Sequence, residues 1–310
     1  EEGYISQDSV QLDSIALADA VKNYQKENDL TVDGKAGDGT LRVMNTTDED
    51  RFAQIAITLD KFKQLPDNMP ARYVWVNIPG FNMYLREGDS ITIQSKIIIG
   101  KAVTRTPLLT SAISELITYP QWTVPTSIIA QEILPAVKKD PGYLAKKGFS
   151  IIDKEGNEVD PYTVDWSKYT KGIPYRVVQG SGDDNALGIL KFNFPNKYSV
   201  YLHDTNQRYL FAREMRSLSH GCVRVEAWDK LAQKIIQYDH KLKPDGCPSA
   251  VEDSLNSWLT QKVKKHISVK NRLPLYIRYF TAEAKNGKIR IYDDIYGDDR
   301  QLRKQFITRK

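Results

Sequence analysis

Ser199-Val200-Tyr201-Leu202-His203, followed after fifteen residues by Ser219-His220-Gly221-Cys222-Val223-Arg224, is the stretch on which the reading of this chain turns. The apolar alternation of Ser199 to Leu202 predicts a strand that delivers His203 at its end. From Ala227 onward, Trp228, Leu231, Ala232, Ile235 and Ile236 recur at helical spacing. The second segment therefore falls between a strand and a helix, where loops carry reactive groups on a rigid frame. It sets one of the two cysteines beside two of the four histidines. A thiol with a reference pKa of about 8.5 is mostly protonated at neutral pH, and an imidazole within reach can make it a nucleophile. Gly221 removes a side chain where backbone N–H groups must approach a reacting carbonyl, as an oxyanion hole requires.

Three other readings of the same residues stay open on sequence. His203, His220, Cys222 and Cys247 are four nitrogen or sulfur donors for zinc, although the close-paired spacings of zinc sites are missing. Cys222 and Cys247 are enough for one disulfide, which leaves the flanking histidines and Gly221 unexplained. The third is a buried thiol beside a satisfied core histidine, against which the clustering counts.

His203, the fifteen-residue interval and Ser219-His220-Gly221-Cys222-Val223-Arg224 resemble the signature of the YkuD-type L,D-transpeptidases, in which a histidine leads to [S/T]-H-G-C-apolar-N/R. Arg105-Thr106-Pro107 and Asn185-Ala186-Leu187-Gly188 resemble the family's upstream stretches. Val76-Asn77-Ile78-Pro79, Thr281-Ala282 and Asp294-Ile295-Tyr296 resemble its large YcbB-type branch, periplasmic in Gram-negative bacteria. The last signature position is Arg224 rather than the commoner Asn, so no asparagine role carries over. The resemblance implies Cys222 as nucleophile and His203 as general base, oriented by the backbone carbonyl of Asp204. His220 takes a secondary role, and the Gly221 and Cys222 N–H groups form the oxyanion hole. Arg224 and Ser219 are assigned to substrate binding, with pairing to a surface acid the open alternative for Arg224. The Asp204 carboxylate either adds a charge effect or faces solvent.

The implied reaction joins peptidoglycan tetrapeptide stems, donor and acceptor, through 3→3 diaminopimelate crosslinks. It runs by a cysteine thioester, releases D-alanine and needs neither cofactor nor metal. Carbapenem-type β-lactams are expected as covalent inhibitors. Water as acceptor would make an L,D-carboxypeptidase, and another amine an exchange enzyme; a non-catalytic peptidoglycan-binding scaffold is the alternative outside enzymes.

Composition fits this reading without requiring it. At 310 residues, two units are the natural expectation. Lys+Arg of 44 against Asp+Glu of 39 is a mixed surface, which argues against a nucleic-acid partner; a net charge of +5 suits a carboxylate-rich polymer and serves simple solubility equally. Protein partners are not legible. No apolar run approaches the roughly 20 residues of a membrane span. The chain begins at Glu1 without methionine or signal sequence, so we expect a fragment of something longer; the resemblance implies the periplasm, with membrane anchoring through a preceding segment left open.

The expected fold class is α+β: a β-rich catalytic domain with a capping insertion, and a small helical peptidoglycan-binding domain. Residues 1–47 form the latter, N-terminally truncated, with Ile15, Leu17, Ala18, Val21 and Tyr24 at helical spacing before the glycine-rich Asp29 to Thr40. Ala20 to Gln25, Leu30 to Gly37 and Thr40 carry the resemblance to the second half of such a domain. Residues 48–70 form a connecting helix and linker. Thr46 to Asp50 supply a capping box, and Phe52, Ile55, Ala56, Leu59 and Phe62 form a face expected to be core. Residues 71–310 form the catalytic domain, beginning with strands at Tyr73 to Ile78, Asn82 to Leu85, Ser90 to Ile93 and Lys96 to Ile99. It ends in a hairpin of Leu275 to Phe280 and Lys288 to Tyr292 about Asn286-Gly287. The insertion, about 138–175, contains Tyr143, Phe149, Trp166 and Tyr169, expected mainly to hold its own small core.

Overall fold

The computed structural model describes residues 14–28, 30–241, 250–285 and 287–307. Its chain forms two compact units, one of Glu1–Met69, Ala212–Met215 and Tyr279–Lys310, the other of Pro70–Phe211 and Arg216–Arg278. No helix among the described residues is long and apolar enough to cross a membrane.

In the first unit, helix Ser14–Glu27 is followed by the Asp33-Gly34 turn and helix Asp38–Met44. Buried Gln25 organises this junction. Its Nε2 donates to Asp33 Oδ1, Lys35 O and Thr40 Oγ1, and its Oε1 accepts from the Asp33 and Gly34 N–H groups. The third helix, Asp48–Phe62, starts from the expected capping box between Thr47 and Asp50. Its buried face is not the expected one: Phe52 is 72% and Leu59 61% exposed, whereas Ile57 and Thr58 are buried. Polar partners from the end of the chain decide this. Lys61 Nζ binds Asp299 Oδ1 at 2.5 Å and the Tyr279 carbonyl at 2.9 Å, Gln54 donates to the Tyr292 carbonyl, and Thr58 Oγ1 accepts from the Ala282 N–H.

These contacts also move two boundaries. Tyr279–Lys310, assigned on sequence to the catalytic domain, packs with the N-terminal unit. The terminal hairpin pairs Ala282–Lys285 with Lys288–Ile291 instead of using Leu275 to Phe280. Asn286 lies outside the described residues, while Gly287 takes φ 74°. Leu275 belongs instead to the long strand Lys265–Arg278.

In the second unit, the main sheet has nine strands, in the order Ser217–Ser219, Ser90–Gly100, Val223–Val225, Leu202–His203, Leu190–Asn193, Leu109–Thr118, Lys265–Arg278, Arg72–Asn77, Asn82–Glu87. The last strand pairs back onto Ser90–Gly100, so the sheet closes on itself like a barrel. The two strands expected at Ser90 to Ile93 and Lys96 to Ile99 are one. Its first half pairs with Asn82–Glu87 and its second half with Val223–Val225 and Ser217–Ser219. Inward residues Val74, Ile97, Leu116, Phe192, Leu202 and Leu275 are fully buried. Helix Trp228–Lys241 buries Leu231, Ala232, Ile235 and Ile236, the predicted face.

The insertion is broader than 138–175. It spans 122–179 and has its own four-stranded sheet, Trp122–Thr123, Arg176–Gln179, Phe149–Ile152 and Glu158–Val159, with a helical run from Thr126 to Lys139. Val124, Ile129, Leu134, Val137, Leu144 and Trp166 belong to its core, and Tyr143, Phe149 and Tyr169 pack against it. The insertion aromatics thus serve its own interior, as expected.

Candidate active site

The expected Ser199 to Leu202 strand begins later, as Leu202–His203. Asn196 Oδ1 accepts from the Tyr198 and Val200 N–H groups, and Ser199 takes φ 57°, so a side-chain-closed turn replaces the ladder. Leu202–His203 pairs in parallel with Val223–Val225, setting His203 opposite Arg224, and antiparallel with Leu190–Asn193, setting His203 opposite Lys191. Directly paired residues share a face, and so does Tyr201, two residues before His203. The Val223 N–H donates to the Tyr201 carbonyl at 3.1 Å, which brings Cys222 beside Tyr201. Pairing of three short strands therefore collects Cys222, Tyr201, His203, Lys191 and Arg224.

His203 is buried, and its Nδ1 lies 2.5 Å from the Asp204 carbonyl, so Nδ1–H donates and Nε2 is left as the basic nitrogen. Burial, followed by the Arg224 charge, pushes the imidazole down to about 3, so it is neutral at physiological pH. The Asp204 carboxylate does not face solvent. Fully buried, it accepts from Arg208 Nε at 3.0 Å and Nη2 at 2.6 Å and from the Ile189 N–H at 3.1 Å. This clamp fixes the backbone whose carbonyl orients His203. It also explains Gly188, at φ 62°, where a Cβ would sit 2.3 Å from Asp204 Oδ2.

Cys222 is a free thiol. Burial raises its pKa; hydrogen bonds from the Tyr201 main chain and phenol, with the charges of Lys191 and Arg224, oppose that rise. Lys191 Nζ stands 4.0 Å over the Tyr201 ring, and the same ring meets the His203 imidazole edge-on at 5.5 Å. The resting pair is a neutral thiol and a neutral imidazole under two cations. Such an arrangement can release a proton from sulfur to Nε2 and stabilise the thiolate that results. Cys247, needed for both the zinc and the disulfide alternatives, lies outside the described residues.

The loop itself uses two of the expected residues to hold its own backbone. Ser219 is buried and its hydroxyl is spent within the loop, donating to the Cys222 carbonyl at 2.6 Å and accepting from the Gly221 N–H at 3.1 Å. The Ser219 hydroxyl thus staples the loop, and it engages the Gly221 N–H. Gly221 provides φ 118°, and its carbonyl accepts from Thr106 Oγ1 at 2.9 Å. The Ser219 carbonyl accepts from Thr104 Oγ1 and the Lys101 N–H. Segment 100–106 is therefore the brace beneath the loop.

Of the remaining assigned residues, Arg224 meets no surface acid among the described residues: Nη1 donates to Gln207 Oε1 at 3.1 Å, and Nε is buried without a hydrogen-bond partner among them. His220 Nε2 lies 2.5 Å from Glu132 Oε1 of the insertion. Sequence reading missed Tyr201, Lys191, Glu132 and Arg208. For Tyr201 and Lys191 a signal existed, since polar side chains alternate with core residues on strands beside His203; Glu132 gave none.

Residues 71–240 match the family described as "YkuD: L,D-transpeptidase catalytic domain", and residues 3–44 match that described as "Putative peptidoglycan binding domain". A Haemophilus influenzae protein named "Putative L,D-transpeptidase" is 38% identical over 259 residues, 83% of this chain. The chain spans only 50% of that relative's length. Among solved structures, an L,D-transpeptidase from Stackebrandtia nassauensis is 15% identical, covering 93% of this chain and 87% of its own, with a TM-score of 0.29. One from Mycobacterium smegmatis is 12% identical, covering 67% and 58%, with a TM-score of 0.30. Such low scores add nothing about fold or site. The family match takes in eight of the nine strands of the closed sheet, the insertion and the whole His203-to-Arg224 segment: this chain belongs to the YkuD family and carries its L,D-transpeptidase catalytic domain.

Proposed function

We propose that the protein is a peptidoglycan L,D-transpeptidase that makes 3→3 crosslinks between tetrapeptide stems through a thioester on Cys222. The observation that carries this is the free Cys222 thiol on the same sheet face as His203, whose Nδ1 is committed to the Asp204 carbonyl. The Cys222 proton passes to His203 Nε2 as sulfur attacks the carbonyl of the third stem residue. The oxyanion meets the Cys222 N–H, and its negative charge is favoured by Lys191 and Arg224. His203 then returns the proton to the amine of the departing D-alanine, leaving the thioester. The side-chain amine of a second stem attacks, the C–N bond forms, the C–S bond breaks, and the thiol is regenerated through His203. Water excluded by the insertion favours the amine over hydrolysis.

Arg224, with its unpartnered Nε, is the group proposed to bind a substrate carboxylate. The N-terminal match supports peptidoglycan as the polymer held by the first unit; the periplasm is our proposal for the compartment of action. Carbapenem-type β-lactams are proposed to acylate the same thiol. Product analysis with purified disaccharide-tetrapeptide tests the reading. D-alanine with crosslinked dimer is expected from the wild type and neither from His203→Ala; tripeptide without dimer would make the enzyme a carboxypeptidase.

A further inference from the structure

Glu132 of the insertion reaches the reactive loop. The helical run Thr126 to Lys139 contains Pro135, which has no N–H to give the carbonyl four residues back and crowds it with its ring. The run opens into a π-helical turn, Ile129–Ile133, immediately before it. Such turns displace side chains from the regular helical row and recur at functional sites. Ile129 and Ile133 anchor the turn in the insertion core, while Glu132 points away from that core to His220, Oε1 to Nε2 2.5 Å. The Glu132 side chain is still 47% exposed. A carboxylate offers about four acceptor sites, and His220 takes one.

The two reactants of the proposed transfer differ in charge. The donor step gathers negative charge at sulfur and at the attacked carbonyl, which suits Lys191 and Arg224 on the strand side of Cys222. The acceptor is a primary amine, and it arrives in water as an ammonium. Those same cations repel it. Glu132, held by the side chain of His220, two residues before Cys222, supplies the opposite sign on the insertion side of the loop.

We propose that Glu132 determines acceptor specificity: its carboxylate, oriented by His220, receives the ammonium of the incoming primary-amine acceptor and holds it at the thioester. This rests on the transpeptidase reading above. The bound ammonium gives one proton to water; the neutral amine then forms the C–N bond as the C–S bond breaks, and its surplus proton returns to sulfur through His203. Water, the competing acceptor, needs no carboxylate to reach the same carbonyl, so Glu132 acts on the ratio of crosslinking to hydrolysis.

The test compares wild type, Glu132→Gln and Glu132→Lys with the disaccharide-tetrapeptide, measuring D-alanine release and the ratio of dimer to tripeptide. Glu132→Gln keeps a hydrogen-bonding group toward His220 and removes the charge. Loss of one charge-assisted contact to the ammonium should lower the dimer-to-tripeptide ratio about tenfold and raise the acceptor KM, with D-alanine release changed far less. Glu132→Lys should lower the ratio further. An unchanged ratio overturns the proposal, as does loss of D-alanine release in step with dimer, which would mark Glu132 as a support of the loop. Wild type that releases no D-alanine would overturn the transpeptidase reading itself, a result visible before any variant is compared.

Discussion

Replacing Ser219 with alanine separates a loop staple from a substrate contact. The hydroxyl donates to the Cys222 carbonyl at 2.6 Å and accepts from the Gly221 N–H at 3.1 Å, in a residue 2% exposed. Each such bond contributes about 1 kcal/mol net, and up to about 3 when a buried partner is left unmade, so losing both should cost about 2–4 kcal/mol. For a unit of this size that lowers Tm by about 5–12 °C. The two groups released are the main chain of Cys222 and its neighbour, so acylation should slow by about 10- to 100-fold, with Ser219→Thr retaining most of the rate. Thermal melting and the time course of acyl-enzyme formation with a carbapenem, read by intact mass, measure the two effects. Unchanged Tm with only a raised KM would refute the reasoning and return Ser219 to the substrate.

Three further outcomes follow from the geometry. The folded His203 pKa of about 3 lies below its ordinary value, so the unfolded chain binds the extra proton first; stability should fall as pH drops from about 6.5 toward 3, and His203→Gln should flatten that fall in denaturant titrations. Tyr201 and Lys191 both hold the Cys222 thiol lower than burial alone would; Tyr201→Phe and Lys191→Met should each move the pH midpoint of iodoacetamide alkylation upward, and a downward shift would contradict the electrostatic account. In the N-terminal unit, Gln25→Ala removes five hydrogen-bond contacts from one buried amide and should destabilise the Asp33-Gly34 turn by about 2–4 kcal/mol, seen as faster proteolysis between Leu30 and Thr40.

What was legible in the sequence is what local spacing encodes. The interval from His203 to Cys222, the Thr47 capping box and the buried stripe of helix Trp228–Lys241 depend on neighbours along the chain. Helix Asp48–Phe62 shows the limit. Its strongest apolar row is exposed, because Asp299, Tyr279 and Tyr292, more than two hundred residues away, satisfy Lys61 and Gln54 on another face. The terminal hairpin slipped for a related reason, since Leu275 to Arg278 is claimed by the main sheet before the Ala282–Lys285 strand begins. At the site, composition pointed to a reactive Cys222 and His203, but cross-strand register alone places Lys191 and Arg224 on either side of the imidazole. Ser219 and Gly221 have residue types that suit a substrate contact and an oxyanion donor, and that gave no sign that the loop uses both to hold its own backbone.

The central claim is that Cys222 carries the acyl group. Intact-protein mass spectrometry after incubation with disaccharide-tetrapeptide measures this directly, comparing wild type with Cys222→Ala. The account predicts a wild-type adduct with the mass of the stem less D-alanine, located on Cys222 by peptide mapping, and an unmodified Cys222→Ala protein of unchanged Tm. An adduct on Cys222→Ala, or D-alanine release by that variant, would contradict it.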